Sequence, residues 1–354
     1  MKNFLQKSLN IGVSKNKPVS LIHFLTNQCN ARCPHCFIDF DDKTAQSDKL
    51  SLESINKMTK SMGPQLMNVN FTGGEPFLDT DIETICEYYL KNTSIDSMFF
   101  STNGAMTSKI IKIANRLSKA YPKVIFTYSI SIDHIGDKHS DYRRVKKLYE
   151  KAIDSYRKLI EIGKNVQANV TVTVCDFNVD DIEEIFNELY INEKVHSITA
   201  NVVRNEGVYL INKDKASAIN HAYKKLVDLI LSNDLQYKND NFLAKMMNEK
   251  EKVMYNYLLD NFLNPHYVLP CHAGAGLLGV IYPNGDVYPC EVLDKKMGNL
   301  NDFDFNILEL WAKNQELRKW IKDTKCHCTY ECAWSYNILS SPKHMGKLAL
   351  KGIL

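Results

Sequence analysis

From about residue 20 to residue 210, short runs rich in β-branched and aromatic residues alternate with longer amphipathic stretches. Strands separated by helix-length connections pair in parallel, so this alternation confines the chain to repeated βα units around a parallel sheet. Six strands are expected: LIHFL from Leu21, MNVNF from Met67, MFFS from Met98, IFTYSISI from Ile125, VQANVTV from Val166 and HSITANV from His196. Between them, SLESINKMTKSM places Leu52, Ile55, Met58 and Met62 at helical spacing behind a capping Ser51. DDIEEIFNELY puts its acids in the first turn, where the helix dipole favours them.

The expected fold is α/β, a partial (β/α)6 TIM-like barrel followed by a small cysteine-rich domain. Residues 1–19 form an N-terminal extension, 20–210 the barrel, 211–268 a helical connection, 269–340 the cysteine-rich domain and 341–354 a tail. In the cysteine-rich domain LLGVIYP and DVYP flank Asn284–Gly285, a strong hairpin signal, and FNILELWAKNQELRKWI reads as one amphipathic helix.

Net charge is +3 at pH 7 and no block of like charges interrupts the mixture. That pattern speaks against a dedicated nucleic-acid or membrane-surface protein. The first twenty residues lack the apolar run of a secretory signal, and no stretch approaches the ~20 apolar residues of a spanning helix. The expected location is therefore cytoplasmic, and ten cysteines in a reducing compartment read first as metal or cluster ligands. Eight of them fall in two groups, at 29/33/36 and 271/290/326/328/332, while Cys86 and Cys175 stand in apolar surroundings as core thiols.

Cys29, Cys33 and Cys36 directly follow the first strand, at the end of a parallel sheet where α/β folds place their chemistry. Three thiolates at this spacing can wrap one face of a four-iron cluster, leaving one iron open to another ligand. The alternative is a structural zinc knuckle completed by His35 or His23, although paired C-x2-4-C elements are missing.

This C-x3-C-x2-C spacing, joined by Thr72-Gly73-Gly74-Glu75-Pro76 after the second strand, resembles the radical S-adenosylmethionine (SAM) enzymes. The resemblance implies a [4Fe-4S] cluster on the three cysteines and SAM chelating the open iron. Thr72, Gly73, Gly74, Glu75 and Pro76 would hold the SAM amino group: the glycines let backbone approach a ligand and Glu75 supplies a carboxylate for the ammonium. Asn103, Ser131 and Arg143 resemble positions lining the SAM ribose and carboxylate, and each is also explicable as turn or strand-end chemistry. The implied reaction is reductive cleavage of SAM to a 5′-deoxyadenosyl radical that abstracts a substrate hydrogen, with flavodoxin or ferredoxin as reductant.

The second group, Cys271, Cys290, Cys326, Cys328 and Cys332, holds enough thiols for one four-thiolate cluster with one to spare. The stretch from Cys271 to Cys290, with Gly285 in the hairpin turn, resembles the opening of SPASM and twitch domains. The shorter Cys326-x-Cys328-x3-Cys332 block fits a single auxiliary [4Fe-4S] cluster, on Cys271, Cys290, Cys328 and Cys332. Spacing leaves the choice between Cys326 and Cys328 open, and His272 and His327 leave structural zinc open.

An auxiliary cluster that accepts an electron implies net oxidation, and the resemblance to twitch-bearing enzymes that oxidise a sugar or aminocyclitol alcohol implies a small molecule or saccharide as substrate. The alternatives are a peptide or protein maturase and a non-catalytic iron–sulfur scaffold. Only about twenty residues precede the first strand, which tilts the expectation away from a leader-peptide-binding domain. Asp133, Arg204 and Glu291 are the candidate substrate-side groups, with Asp133 expected to transfer a proton.

Overall fold

The computed structural model describes residues 10–204, 213–233 and 242–353. Residues 1–9 of the expected extension, and 211–212 and 234–241 of the helical connection, lie outside them.

All six expected strands form: β1 (Ser20–Thr26), β2 (Asn68–Gly73), β3 (Ser97–Thr102), β4 (Ile125–Ser131), β5 (Val166–Val174) and β6 (Ile198–Val202). Each pairs in parallel with its sequence neighbour, in the order β6-β5-β4-β3-β2-β1. Among the described residues β6 does not return to β1, so the barrel is open. Alternating strand positions face the core: Val69 and Phe71 of β2, Met98 and Phe100 of β3, and Phe126 and Tyr128 of β4 are fully buried. Phe100 and Tyr128 stack at 4.7 Å between centroids. Helix Leu52–Met62 packs Ile55, Met58 and Met62 into that core, and Ser51 Oγ caps it by accepting from Ser54 N.

The hairpin forms as β7 (Leu278–Ile281) and β8 (Asp286–Tyr288), turning at Gly285 with φ +86°. A short β9 (Gly298–Asn299) completes it. What the sequence pattern does not reveal is where this unit sits. Strand β7 pairs in parallel with β1, Ser20 opposite Leu278 through His23 opposite Ile281, extending the barrel sheet to nine strands among the described residues. The strand that feeds the first cysteine loop is thus flanked on its other side by the cysteine-rich domain.

FNILELWAKNQELRKWI is not one helix but two, Ile307–Lys313 and Gln315–Asp323. They break at Asn314, whose Nδ2 donates to Met297 O at 2.9 Å and Leu310 O at 2.8 Å, trading helical continuation for a tie to the hairpin. The segment expected as a tail carries helix Pro342–Ile353, which buries Leu348 in the core. No helix among the described residues is long and apolar enough to cross a membrane.

Candidate active site

A cavity of about 480 Å³ opens at the carboxyl ends of the barrel strands. Cys29, Cys33 and Cys36 border it from the loop after β1, Thr72, Gly73 and Gly74 from the end of β2, and Asn103, Ser131 and Arg143 from the ends of β3 and β4 and the segment that follows. Arg204 and Glu291 stand on its far side with Glu331.

The glycines, besides bordering the cavity, bring two stretches of backbone together. A Cβ on Gly73 would lie 2.2 Å from Thr26 O, and one on Gly74 2.0 Å from Gln28 O. Gly74 N donates to Thr26 O at 2.7 Å and Glu75 N to Gln28 O at 2.8 Å. The two glycines therefore clamp the root of the Cys29 loop against β2, and the close approach is backbone to backbone.

Glu75 is 1% exposed, and the chain itself occupies its carboxylate. Oε1 accepts from Thr102 Oγ1 at 2.7 Å and Phe77 N at 3.2 Å, and Oε2 from Asn103 N at 2.8 Å. Burial raises its pKa against the pull of these donors. Its visible work is to fix the Thr102–Asn103 turn. Pro76 opens a buried 3-10 turn behind it. Asn103 in turn reaches the cysteine loop, its Nδ2 donating to Asn30 Oδ1 at 2.7 Å.

Asp133 does not fit the expected proton-transfer role. It is fully buried, and its Oδ2 accepts from Arg143 Nε at 2.8 Å and Nη2 at 2.6 Å, while Oδ1 accepts from Thr173 N at 3.1 Å. Burial would raise its pKa, but Arg143, His35 and His139 outweigh it and hold the carboxylate below its ordinary value. A carboxylate so held stays ionised and orients Arg143, whose guanidinium lies close enough to Cys33 to lower that thiol's pKa against the larger effect of burial.

Each zinc-knuckle candidate has a tyrosine hydroxyl at its Nδ1, and His35 borders the cavity beside Cys33 and Cys36. His23 Nδ1 is 3.0 Å from Tyr89 Oη on the far side of β1, and His35 Nδ1 is 2.9 Å from Tyr142 Oη. Tyr142, absent from the sequence reading, stacks on Phe177 at 3.8 Å and on His35, itself part of the cysteine loop, at 5.4 Å. Its only sequence signal is its place beside Arg143.

At the far side of the cavity Arg204 Nη1 pairs with Glu291 Oε2, and Nη2 lies 3.8 Å from Glu331 Oε2. Its guanidinium sits 4.6 Å over the Tyr330 ring, and Tyr330 Oη donates to Glu291 Oε1 at 3.1 Å. Tyr330 and Glu331 were not expected; their signal was adjacency to Cys332.

Among the described residues no three His, Cys, Asp or Glu side chains are arranged to hold a metal ion, so what fits the two cysteine groups to iron–sulfur clusters is the chemistry of their thiols. The first three thiols are half-buried and free of disulfides. Burial pushes Cys29 up to about 11, although Ala31 N donates to its Sγ at 3.3 Å. Thiolates at this depth need bound cations, which irons supply. In the second group burial, and after it the neighbouring Cys271 and Cys326, raise the pKa of both Cys290 and Cys328, Cys290 being pushed up to about 12. Leu293 N donates to Cys290 Sγ at 3.3 Å. Cys332 faces Glu291, Glu331 and Arg204 at the cavity side of this group, and burial pushes it up to about 12.

Comparison with known proteins agrees with this architecture. The radical SAM superfamily profile matches residues 24–189, and that of SPASM, an iron–sulfur cluster-binding domain, matches residues 271–333. The chain is 24% identical over 242 residues to the Fe-coproporphyrin III synthase of Methanosarcina barkeri, covering 66% of this chain and 56% of that protein. It therefore spans little more than half of that relative's length. Two solved structures share the fold along nearly the whole chain. One is native anSMEcpe with bound AdoMet and Cp18Cys peptide (TM-score 0.58, 17% identity, 94% of this chain and 99% of that one). The other is Streptococcus suis SuiB bound to precursor peptide SuiA (TM-score 0.61, 15% identity, 96% and 76%). The chain thus carries a radical SAM domain over residues 24–189 and a SPASM domain over residues 271–333, domains that imply SAM, a [4Fe-4S] cluster and an auxiliary cluster as its cofactors.

Proposed function

We propose that the chain abstracts a hydrogen atom from a substrate held between the Cys29–Cys36 loop and the Arg204–Glu291 pair, for the net oxidation of a small molecule or saccharide. The observation that carries this reading is that one cavity touches both cysteine-bearing regions: Cys29, Cys33 and Cys36 on one wall, Glu291 and Glu331, neighbours of Cys290 and Cys332, on the other. When bound, SAM and the first cluster supply a hydrogen-abstracting radical.

The chain's own residues bind, orient and exclude water. Arg143, held by Asp133 through Nε and Nη2, keeps Nη1 for a carboxylate in the cavity. Thr72 and Ser131 add hydroxyls along the same wall. Phe24 stacks on Tyr282 at 4.7 Å and meets Phe37 edge-on at 5.8 Å, an aromatic wall that keeps water from a reactive intermediate. Arg204, Glu291 and Glu331 offer both signs of charge to a polar substrate. A cavity of about 480 Å³ shared with SAM suits a small polar molecule.

The same volume suits a single side chain of a peptide, and a second reading, a peptide or protein maturase, is favoured by the likeness, along nearly all of this chain, to two structures that hold a bound peptide. The test is anaerobic incubation of the reconstituted protein with SAM and dithionite, with candidate alcohols, sugars or precursor peptides added singly. Mass spectrometry then follows 5′-deoxyadenosine and the substrate. A small molecule that loses two hydrogens in step with 5′-deoxyadenosine supports the first reading. Stimulation by a peptide alone moves the assignment to the second, and absence of SAM cleavage leaves the scaffold alternative.

A further inference from the structure

Away from the barrel mouth, a cavity of about 590 Å³ lies between the segment 13–17, the turn after Cys271 and the helix Gln315–Asp323. Its walls carry Lys15, Lys17, His272, Arg318, Lys319 and Lys322, and no carboxylate among the described residues lines it. Three of these cations, at 318, 319 and 322, fall on one face of one helix by their spacing. Arg318 spends Nε on Ala275 O at 2.8 Å, and burial lowers its pKa with no compensating anion. Lys15 is lowered likewise, by burial and then by Lys322. Trp311, also on the wall, is 1% exposed and its indole N–H has no acceptor among the described residues. Among the described residues the cavity gathers donors and positive charge with no carboxylate on its walls to neutralise them.

The gathering is built into the fold. A Cβ on Gly276 would lie 2.0 Å from Lys15 O, so this glycine lets the 13–17 segment lie directly on the turn that carries Cys271. Ala275, on the cavity wall, belongs with Cys271 and Ile321 to one apolar cluster against which Cys290, Cys326 and Cys328 pack. The basic face is thus the outer skin of the second cysteine group.

We infer that this face docks a small acidic one-electron carrier protein, with Lys15, Lys17, Lys319 and Lys322 steering it against the wall that covers Cys271. The inference rests on the reading of the chain as a radical SAM oxidoreductase, whose chemistry needs one-electron exchange with a partner. A cluster of like charges raises the association rate of an oppositely charged partner and makes it salt-sensitive.

The test is calorimetric titration of the reconstituted holoprotein with an acidic flavodoxin at low and high salt. Wild type is compared with Lys319→Glu/Lys322→Glu and with a control, Lys112→Glu/Lys119→Glu, on exposed positions of a barrel helix. Low-salt binding weakened at least about tenfold by the first pair, within twofold in the control, and weakened comparably by salt in wild type is the expected result. Binding that ignores the charge reversal, or no flavodoxin binding at low salt, overturns the inference. One-to-one binding of inorganic triphosphate in place of flavodoxin, lost on reversal, would make the cavity a small-anion site. Dithionite-driven SAM cleavage, which needs no docking, is expected to be unchanged in the double variant. Its absence from wild type would count against the proposed function and not against the docking face.

Discussion

Arg204, just beyond the end of β6, pairs with Glu291, just beyond the second hairpin strand, on one wall of the cavity and 87 positions apart along the chain. Glu291 is nearly buried and Arg204 about two-thirds so, and the pair is the charged seam between the barrel and the cysteine-rich domain. Removing one partner of a largely buried pair leaves the other desolvated and uncompensated. Arg204→Met is expected to destabilise by about 1–3 kcal/mol, below the fully buried range because Arg204 keeps some solvent. A double-mutant cycle with Glu291→Gln in denaturant unfolding checks it, and additive effects would mean that the two side chains do not interact.

Asp133 and Arg143 make a second prediction with two distinguishable outcomes. Asp133→Asn keeps the shape but removes the charge that orients Arg143, so SAM affinity is expected to fall about tenfold, roughly one charge-assisted hydrogen bond. Iron content should stay unchanged. Equilibrium binding of SAM measures this directly. Full affinity with lost turnover would instead restore Asp133 as a proton-transfer group.

Gly74→Ala addresses the clamp. A methyl group 2.0 Å from Gln28 O and 2.4 Å from Gln28 C must push the cysteine loop away from β2. The expected result is loss of the first cluster with retention of the second, read as a fall from about eight irons per chain to about four. Iron content equal to wild type would show that the loop does not depend on this contact.

Histidine burial sets a pH prediction for the cofactor-free protein. His23, inside β1 and hydrogen-bonded to Tyr89, has its pKa lowered by burial to about 3. The unfolded chain therefore binds a proton that the folded chain refuses between the ordinary histidine value and about 3, so stability is full above the unfolded pKa and falls as pH drops through that window. The slope from this one group is up to about 1.4 kcal/mol per pH unit. Denaturant midpoints from pH 7 to pH 4 check it, with the slope reduced in His23→Leu.

The parts of this architecture legible in the sequence are the local ones. The six strands, the Ser51 cap, the Gly285 turn and both cysteine groups are encoded within a few residues of themselves, where periodicity, capping and spacing act. What escaped is long-range. Nothing in LLGVIYP reveals that β7 adds to β1, because edge pairing depends on which strand is left open. Gly73 and Gly74 suit a ligand by their type, and that they also meet the backbone of Thr26 and Gln28 is visible only in the fold. Asn314 breaks a helix because Met297 O is within reach, 17 residues away. Arg204 and Glu291 were each chosen for their places, and their pairing belongs to the fold.

The central claim is that the two cysteine groups carry two separate iron–sulfur centres and that the first alone is responsible for SAM cleavage. It is tested most directly by iron and 5′-deoxyadenosine measured together, in wild type and in the Cys29/Cys33/Cys36→Ala triple variant after anaerobic reconstitution and reduction. The predicted result is about eight irons per chain falling to about four, with 5′-deoxyadenosine formation abolished. Formation that persists in the variant, or four irons lost entirely with zinc retained at the second group, would contradict it.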